Sequence, residues 1–489
     1  MSVLIVTNNA KDWPTQVEDA RIVDARAYLT DASFSEARGV KVFNLCRSYR
    51  YQSAGYYVSL LAEARGHKPI PSVSTVRDLA NNAIVRLVSE EIDDLIQKSL
   101  TKIKSNRFAL SIYFGRNMAS RYQELALNLF NQFQSPLLRA HFQREQGNGW
   151  RLRRVAPIAA NDVPQSHWPF VVKAAALHFQ RRQANGKRRH RARFDLAILT
   201  NPQDQQPPSD AKAIKRFMRA AESMGLEPEL ITRDDYGRLA EFDALFIRDT
   251  TFINSYTYRF SRRAFREGLV VIDDPQSIVR CTNKVYLAEL LARHKIPMPR
   301  TIVAHRDNAD QLATTLGFPL ILKKPDSAFS QGVVKVEDPQ ALEIKLKELL
   351  EDSDLVVAQE FLPTTFDWRI GVLDRQPLFA CKYYMANGHW QIINHAEGAR
   401  HRYGRCETIP VESAPRRAVR VALKAANLIG DGLYGVDVKE SNGQFYVIEV
   451  NDNPNVESGV EDSVLRDELY LRIMSVFLRR IEQRKAAYY

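Results

Sequence analysis

Apolar runs of strand length alternate along this chain with stretches of helical period. "SVLIVT" at 2–7 and "VKVFNL" at 40–45 are nearly unbroken apolar runs, the pattern of strands buried on both faces. After them, "YYVSLLAEAR" sets Tyr57, Leu60, Leu61 and Ala64 at helical spacing. This predicts an α/β block over 1–190. "RYQSAGYY", entering that helix, either cradles an anion on its backbone N–H groups or simply joins strand to helix.

From 194 to 283 the alternation is more regular. "FDLAILT", a helix from about Asp210 to Met224, "FDALFIRDT" and "LVVIDDP" predict a small parallel αβα unit, with Gly225 and Gly268 where helices should end. The third block, 284–489, carries the candidate chemistry. "FPLILKKPDSAFSQGVVKV" reads as strand, loop, strand, unlike a Walker loop, which leads into a helix. The loop holds Ser327, Ser330, Gln331 and Gly332, and Lys323 precedes it. It is a phosphate-binding hairpin or a surface one.

"DLVVAQEFLP" is a strand running into Gln359, Glu360, Phe361 and Leu362, whose backbone and Glu360 carboxylate could bond an adenine edge and a ribose. "FDWRIGVL" sets Asp367 and Arg369 on one strand face; "PLFACKYY" brings Lys382 and "IINH" brings Asn394. "YGVDVKESNGQFYVIEVNDNP" predicts a hairpin turned at "SNG", with Asp437 opposite Glu449 to within one residue of register. Glu449 and Asn451 then share a face, and Ile448 and Val450 the other. An oxygen-only Asp437, Glu449, Asn451 set suits Mg²⁺ or Mn²⁺ better than zinc.

Composition narrows the setting. At 489 residues the chain exceeds one compact core. No run approaches the ~20 apolar residues of a membrane span, and the N-terminus has no basic region before its apolar run, so we expect a cytoplasmic protein. The four cysteines show no CxxC or Cys/His spacing, which argues against a disulfide framework and a structural zinc and predicts reduced, structural thiols. The formal charge of +12 is partly local, in the run Arg181 to Arg193, which is either a solvated linker or a contact for RNA or an acidic partner. It lacks the interleaved aromatics of an RNA-binding signature.

The ordered set Lys284, Lys323, "QEFLP", "DWR", "GVDV", "EVNDNP" resembles the ATP-grasp enzymes, and RimK-like glutamate ligases above all, over roughly 194–480. The first block is similar to the extra N-terminal domain of a subset of RimK-like proteins. The fold so implied is α/β: an N-terminal α/β domain (1–190), a pre-ATP-grasp αβα domain (194–283) and an ATP-grasp domain (284–489) whose two α+β subdomains grip ATP. Carried over residue by residue, the resemblance makes Lys284 and Lys323 phosphate contacts, with Ser330, Gln331 and Gly332 in the phosphate loop. Gln359, Glu360, Phe361 and Leu362 become the adenosine contact, Asp367 a ribose-side contact, and Asp437, Glu449 and Asn451 the ligands of Mg²⁺ or Mn²⁺, two ions in all. Arg369, Lys382 and Asn394 become catalytic.

The implied activity is an ATP-dependent carboxylate–amine ligase, working through an acyl phosphate on a carboxylate substrate such as an amino acid and an amine substrate. Glutamate or a similar amino acid would be added to a peptide, a protein C-terminus or a small molecule. The alternative is an ATP-binding regulatory or RNA-associated protein without turnover. Relatives often form homo-oligomers, and neither membrane nor nucleic-acid binding is implied. Two departures bear on substrate: the loop "SQGVV" has one glycine where the family usually has two, and Gln391, Ile392 and Ile393 stand where an arginine usually precedes Asn394. Lys382, or Arg400, His401 and Arg402, would supply that charge.

Overall fold

A computed structural model describes residues 2–486 except 18–19, 38–39, 146–148, 181–191, 307, 327–331, 387–389 and 393–403. The chain divides into two compact units. Most of the run Arg181 to Arg193, and Ser327, Ser330, Gln331, Asn394, Arg400, His401 and Arg402, lie outside the described residues.

Unit one comprises 1–195, 234–243 and 482–489. Its strands β1 (Ser2–Thr7), β2 (Ala20–Asp24), β3 (Val40–Asn44) and β4 (Lys68–Ile70) form a parallel sheet in the order β2-β1-β3-β4. The apolar runs at β1 and β3 are buried on both faces, as an α/β layer requires. Helix Ala54–Ala64 follows, with Ser53 as its N-cap accepting from the Tyr56 N–H. The sequence pattern did not anticipate a second, antiparallel sheet, β5 (Arg107–Tyr113), β6 (Leu137–Glu145) and β7 (Gly149–Pro157) in the order β5-β6-β7.

Unit two comprises 196–233 and 244–481. Strands β8 (Phe194–Leu199), β9 (Leu226–Ile231), β10 (Ala244–Ile247) and β11 (Val270–Ile272) form a sheet ordered β11-β10-β8-β9. Helices Ala211–Ser223 and Tyr256–Arg266 end just before Gly225 and Gly268, both at φ of +79°, the left-handed position that glycine takes without strain.

Two antiparallel sheets follow. The first, β12 (Thr301–Ala304), β13 (Leu320–Lys323), β14 (Val333–Val336) and β15 (Val356–Glu360), runs β12-β15-β13-β14. Leu320, Leu322, Val356 and Ala358 pack on helices Ala309–Leu316 and Pro339–Asp352. The second, β16 (Phe366–Leu373), β17 (Gln376–Tyr384), β18 (Cys406–Ile409), β19 (Leu433–Ser441) and β20 (Gln444–Asp452), runs β18-β17-β16-β19-β20. Trp368, Ile370, Val436, Val438, Val447 and Val450 belong to one core cluster with Ala418, Ala422 and Ala425 of helix Arg416–Ile429. Burying a side chain such as Ile370 fully contributes about 1.5–3 kcal/mol, and this helix-facing stripe leaves the opposite face for polar groups.

The expected pairing of Ile448 with Val450 needs correction. A bulge between Asp437 and Val438 sets Val438 against Val447 and Asp437 against Glu449. Ile448 is the extra residue and stays half-buried, while Val447 and Val450 both reach the core. Such a bulge resets the strand's phase and re-aims the side chains that follow.

Candidate active site

Because side chains alternate along a strand, the polar residues of β16, β17, β19 and β20 that oppose the helix-facing core collect on one face. Arg369 pairs with Asp437 across β16 and β19, and Asp437 with Glu449 across β19 and β20. Arg369 donates from Nε and Nη2 to the two oxygens of Asp437, at 2.7 and 2.8 Å. The Asn451 amide lies 3.3 Å from Asp437 Oδ2. Asp367 accepts from Thr364 Oγ1 at 2.8 Å and from Lys439 Nζ at 2.7 Å.

The lysines reach the same place from other elements. Lys284 opens helix Lys284–Arg293, capped by Asn283, and its Nζ lies 3.1 Å from Glu449 Oε1. Lys323 ends β13 on the face away from the helices, and donates to Gln359 Oε1 of β15 at 2.7 Å. Gln359 in turn donates to Thr301 Oγ1 at 2.9 Å. Gly332 sits at φ of +71°, and its carbonyl accepts from the Lys324 N–H at 2.9 Å, closing the neck of the loop that joins β13 to β14.

A cleft of about 1320 Å³ has Gly332, Arg369, Asp437, Glu449 and Asn451 in its walls, with Thr251 facing them from the αβα sheet. Charge is dense around it. Burial raises the Asp437 carboxyl above its ordinary value against the pull of Arg369, and neighbouring Glu449 raises it further. Burial also disfavours ionised Glu449, but Lys284 and Lys323 outweigh it and leave that carboxyl below its usual range. Burial lowers Lys323 to about 8.

The donor set is two carboxylates and an amide. Among the described residues no group of three His, Cys, Asp or Glu side chains gathers as a metal cluster. The oxygens of Asp437, Glu449 and Asn451 nevertheless suit a hard cation, and the repulsion by which Glu449 raises Asp437 would be relieved by one.

Two expected site residues are placed elsewhere. Lys382 pairs with Trp368, not Arg369, so alternation puts it on the helix side of the sheet, with Nζ 5.5 Å from the Trp368 ring centroid and 3.8 Å from Glu407. Glu360 is the neighbour of Gln359 on β15 and therefore points to the other face. Its oxygens accept from the Arg300 N–H at 2.8 Å and from Arg300 Nε at 2.7 Å. Arg300 also donates to the carbonyls of Thr315 and Leu316 at the end of helix Ala309–Leu316, where a cation is favoured. The Glu360 carboxylate is thus tied to Arg300. Phe361 and Leu362 are half-buried, and Lys335 Nζ lies 4.6 Å from the Phe361 ring centroid.

Sequence reasoning missed other walls of the cleft. Thr251 donates to Asp452 Oδ2 at 2.7 Å, and burial raises the Asp452 carboxyl to about 7. Tyr383 donates to Glu461, and its ring lies 5.0 Å from the Arg369 guanidinium. The charged pair in "LFIRDT" and the acidic residues after "EVNDNP" were the available signals.

Residues 25–174 match the model of the RimK-like ATPgrasp N-terminal domain, and 281–465 that of the RimK-like ATP-grasp domain. The chain is a RimK-like ATP-grasp protein. Its relatives include alpha-aminoadipate–LysW ligase LysX of Saccharolobus solfataricus, 29% identical over 40% of this chain and 69% of that protein. A probable alpha-L-glutamate ligase of Vibrio vulnificus is 28% identical over 47% of this chain and 74% of its own. Among solved structures, D-alanine–D-alanine ligase from Bacillus anthracis is similar over 60% of this chain and 99% of its own, at 16% identity and a TM-score of 0.46. The RimK-like chain is an enzyme of the ATP-grasp ligase class. Among its described residues no helix is long and apolar enough to cross a membrane.

Proposed function

We propose that this enzyme is an ATP-dependent carboxylate–amine ligase that phosphorylates a carboxylate and joins it to the amine of an acidic amino acid, glutamate or a close analogue. The observation that carries this reading is the convergence of Asp437, Glu449 and Asn451 with Arg369, Lys284 and Lys323. Relatives named for alpha-aminoadipate and alpha-L-glutamate support an acidic amino acid. The acceptor is a peptide, a protein C-terminus or a small molecule, and the setting is the cytoplasm, where ATP is abundant.

A carboxylate is a poor electrophile; transfer of the ATP γ-phosphoryl group makes its oxygen a leaving group. Negative charge accumulates on oxygens in both half-reactions. Lys284 and Lys323 hold phosphate oxygens, and Arg369 meets the negative charge that develops on the acyl oxygen, all preorganised by their neighbours. Asp437, Glu449 and Asn451 would hold Mg²⁺ or Mn²⁺, which would supply positive charge to the phosphates. The backbone around Glu360 takes the adenine edge, and Asp367 the ribose side. An α-amino group has a pKa near ~8, so its free base is available without a dedicated proton acceptor.

ADP release is the test. The enzyme with Mg²⁺ and ATP should form ADP only when both a carboxylate and an amine are supplied, and a panel of acidic amino acids and peptides should identify the pair. ADP formed equally without either substrate would overturn the reading.

Lys323 gives the enzyme a pH signature. In the free protein its ammonium is charged below about 8 and neutral above. Since phosphate oxygens bind the charged form, ATP affinity should fall as pH rises through that value. Titrations of Lys323→Met across the same range should start weaker and lack that step.

A further inference from the structure

Cys381 and Cys406 are 25 positions apart in the sequence, as the numbering shows, yet the sheet brings them together. In the register of β17 and β18, Cys381 pairs with Thr408 and Tyr383 with Cys406, so all four side chains project to the cleft face of the sheet with Arg369, the partner of Cys381 across β16. Cys381 Sγ lies 3.1 Å from Thr408 Oγ1, and Cys406 sits diagonally across the strand pair from Cys381 on the same face. Cys406 is half-exposed and lines the cleft; Cys46, Cys281 and Cys381 are buried.

We propose that Cys381 and Cys406 are a redox-modification site, a dithiol that closes to a reversible disulfide in the cleft wall and slows the ligase. Its consequence for turnover rests on the ligase reading above; its chemistry does not. Cys406 is the attacking thiol. The neighbouring Cys381 thiol and the nearby Arg369 charge hold it below the ordinary thiol value despite partial burial, while Cys381 is pushed up by the Cys406 thiol beside it and by burial. By contrast, burial raises both Cys46 and Cys281.

The oxidant is a low-molecular-weight disulfide. The Cys406 thiolate attacks one of its sulfurs, forming a mixed disulfide and expelling one small thiolate. Cys381 then loses its proton to solvent and attacks the Cys406 sulfur, expelling the second. Two protein thiols lose two electrons and two protons, and one small disulfide becomes two thiols.

Closure must move the strands. Diagonal neighbours on an antiparallel pair sit roughly 7–8 Å apart, whereas a disulfide holds its Cα atoms at about 4.4–6.8 Å. β18 is drawn along β17, taking with it Thr408, which donates to the Val460 carbonyl at 2.7 Å, and shifting the pairing of Cys406 with Tyr383 of β17, whose ring rests on Arg369. A bond closed against the sheet's own geometry is one that reductants reopen.

The experiment is incubation of the full chain with glutathione disulfide, followed by peptide mapping and ADP release before and after dithiothreitol. We expect a Cys381–Cys406 crosslink, a fall in turnover of roughly tenfold to a hundredfold, and recovery on reduction. Cys406→Ser and Cys381→Ala should keep turnover in the reductant and show no reversible loss without it. Absence of that crosslink, or a crosslinked protein with unchanged turnover, would overturn the proposal. A reduced protein that never turns over indicts the ligase reading instead, and the map still decides whether the disulfide forms.

Discussion

Glu449→Gln should lower ADP release by about a hundredfold to a thousandfold while leaving the protein folded. Glu449 lies opposite Asp437 across the β19–β20 hairpin and 3.1 Å from Lys284, in a cluster where nucleotide phosphates and their cation would meet. Removing its charge takes away one of two carboxylates from the oxygen set and shifts the balance around Lys323. The effects on stability oppose each other. A contact to Lys284 is weakened, but the repulsion that helps to raise Asp437 is relieved. Turnover with saturating substrates should therefore fall far more than the thermal midpoint. Equal loss of both would mean that Glu449 is a structural group.

Arg248→Met should show the largest loss of stability, about 3–5 kcal/mol, read as a lower denaturant midpoint. Arg248 is 1% exposed at the end of β10 and donates from Nε to Ser209 Oγ, from Nη1 to Asn453 Oδ1, and from Nη2 to the carbonyls of Pro208 and Pro454, all between 2.6 and 3.0 Å. Burial lowers it to about 10, against the pull of Asp273 and Glu461. Methionine fills much of the space but satisfies none of those acceptors, and buried oxygens left without donors cost about 1–3 kcal/mol each. The same bonds fix the turn directly after Asn451 and Asp452, so the folded fraction should also turn over more slowly. A midpoint within about 1 kcal/mol of the parent's would show that the turn is held by other groups.

The hairpin of β19 and β20 was legible because a turn signal and two alternating strands leave little freedom of register; the one-residue mismatch in the count is the bulge. The family was legible from motif order, and the helix ends from Gly225 and Gly268. Lys382 was not, because proximity in sequence to Arg369 says nothing about which residues face one another across a strand pair. The Glu360 carboxylate was misread because its partner, Arg300, lies 60 residues away on the far side of the first antiparallel sheet. Arg248 and the placing of Cys406 beside Cys381 escaped for the same reason, being products of tertiary placement that no local period records. The second sheet of unit one, β5 to β7, escaped because its long strands carry exposed Arg and Gln between buried positions and blend with their polar surroundings.

The central claim is that an acyl phosphate forms in this cleft, and isotope transfer tests it most directly. With the carboxylate oxygens of the substrate labelled with heavy oxygen, turnover with ATP and the amine should release inorganic phosphate carrying one labelled oxygen for each amide formed. Labelled phosphate in step with ADP is the predicted result. Amide formed with unlabelled phosphate, or ADP released with no amide at all, would contradict it.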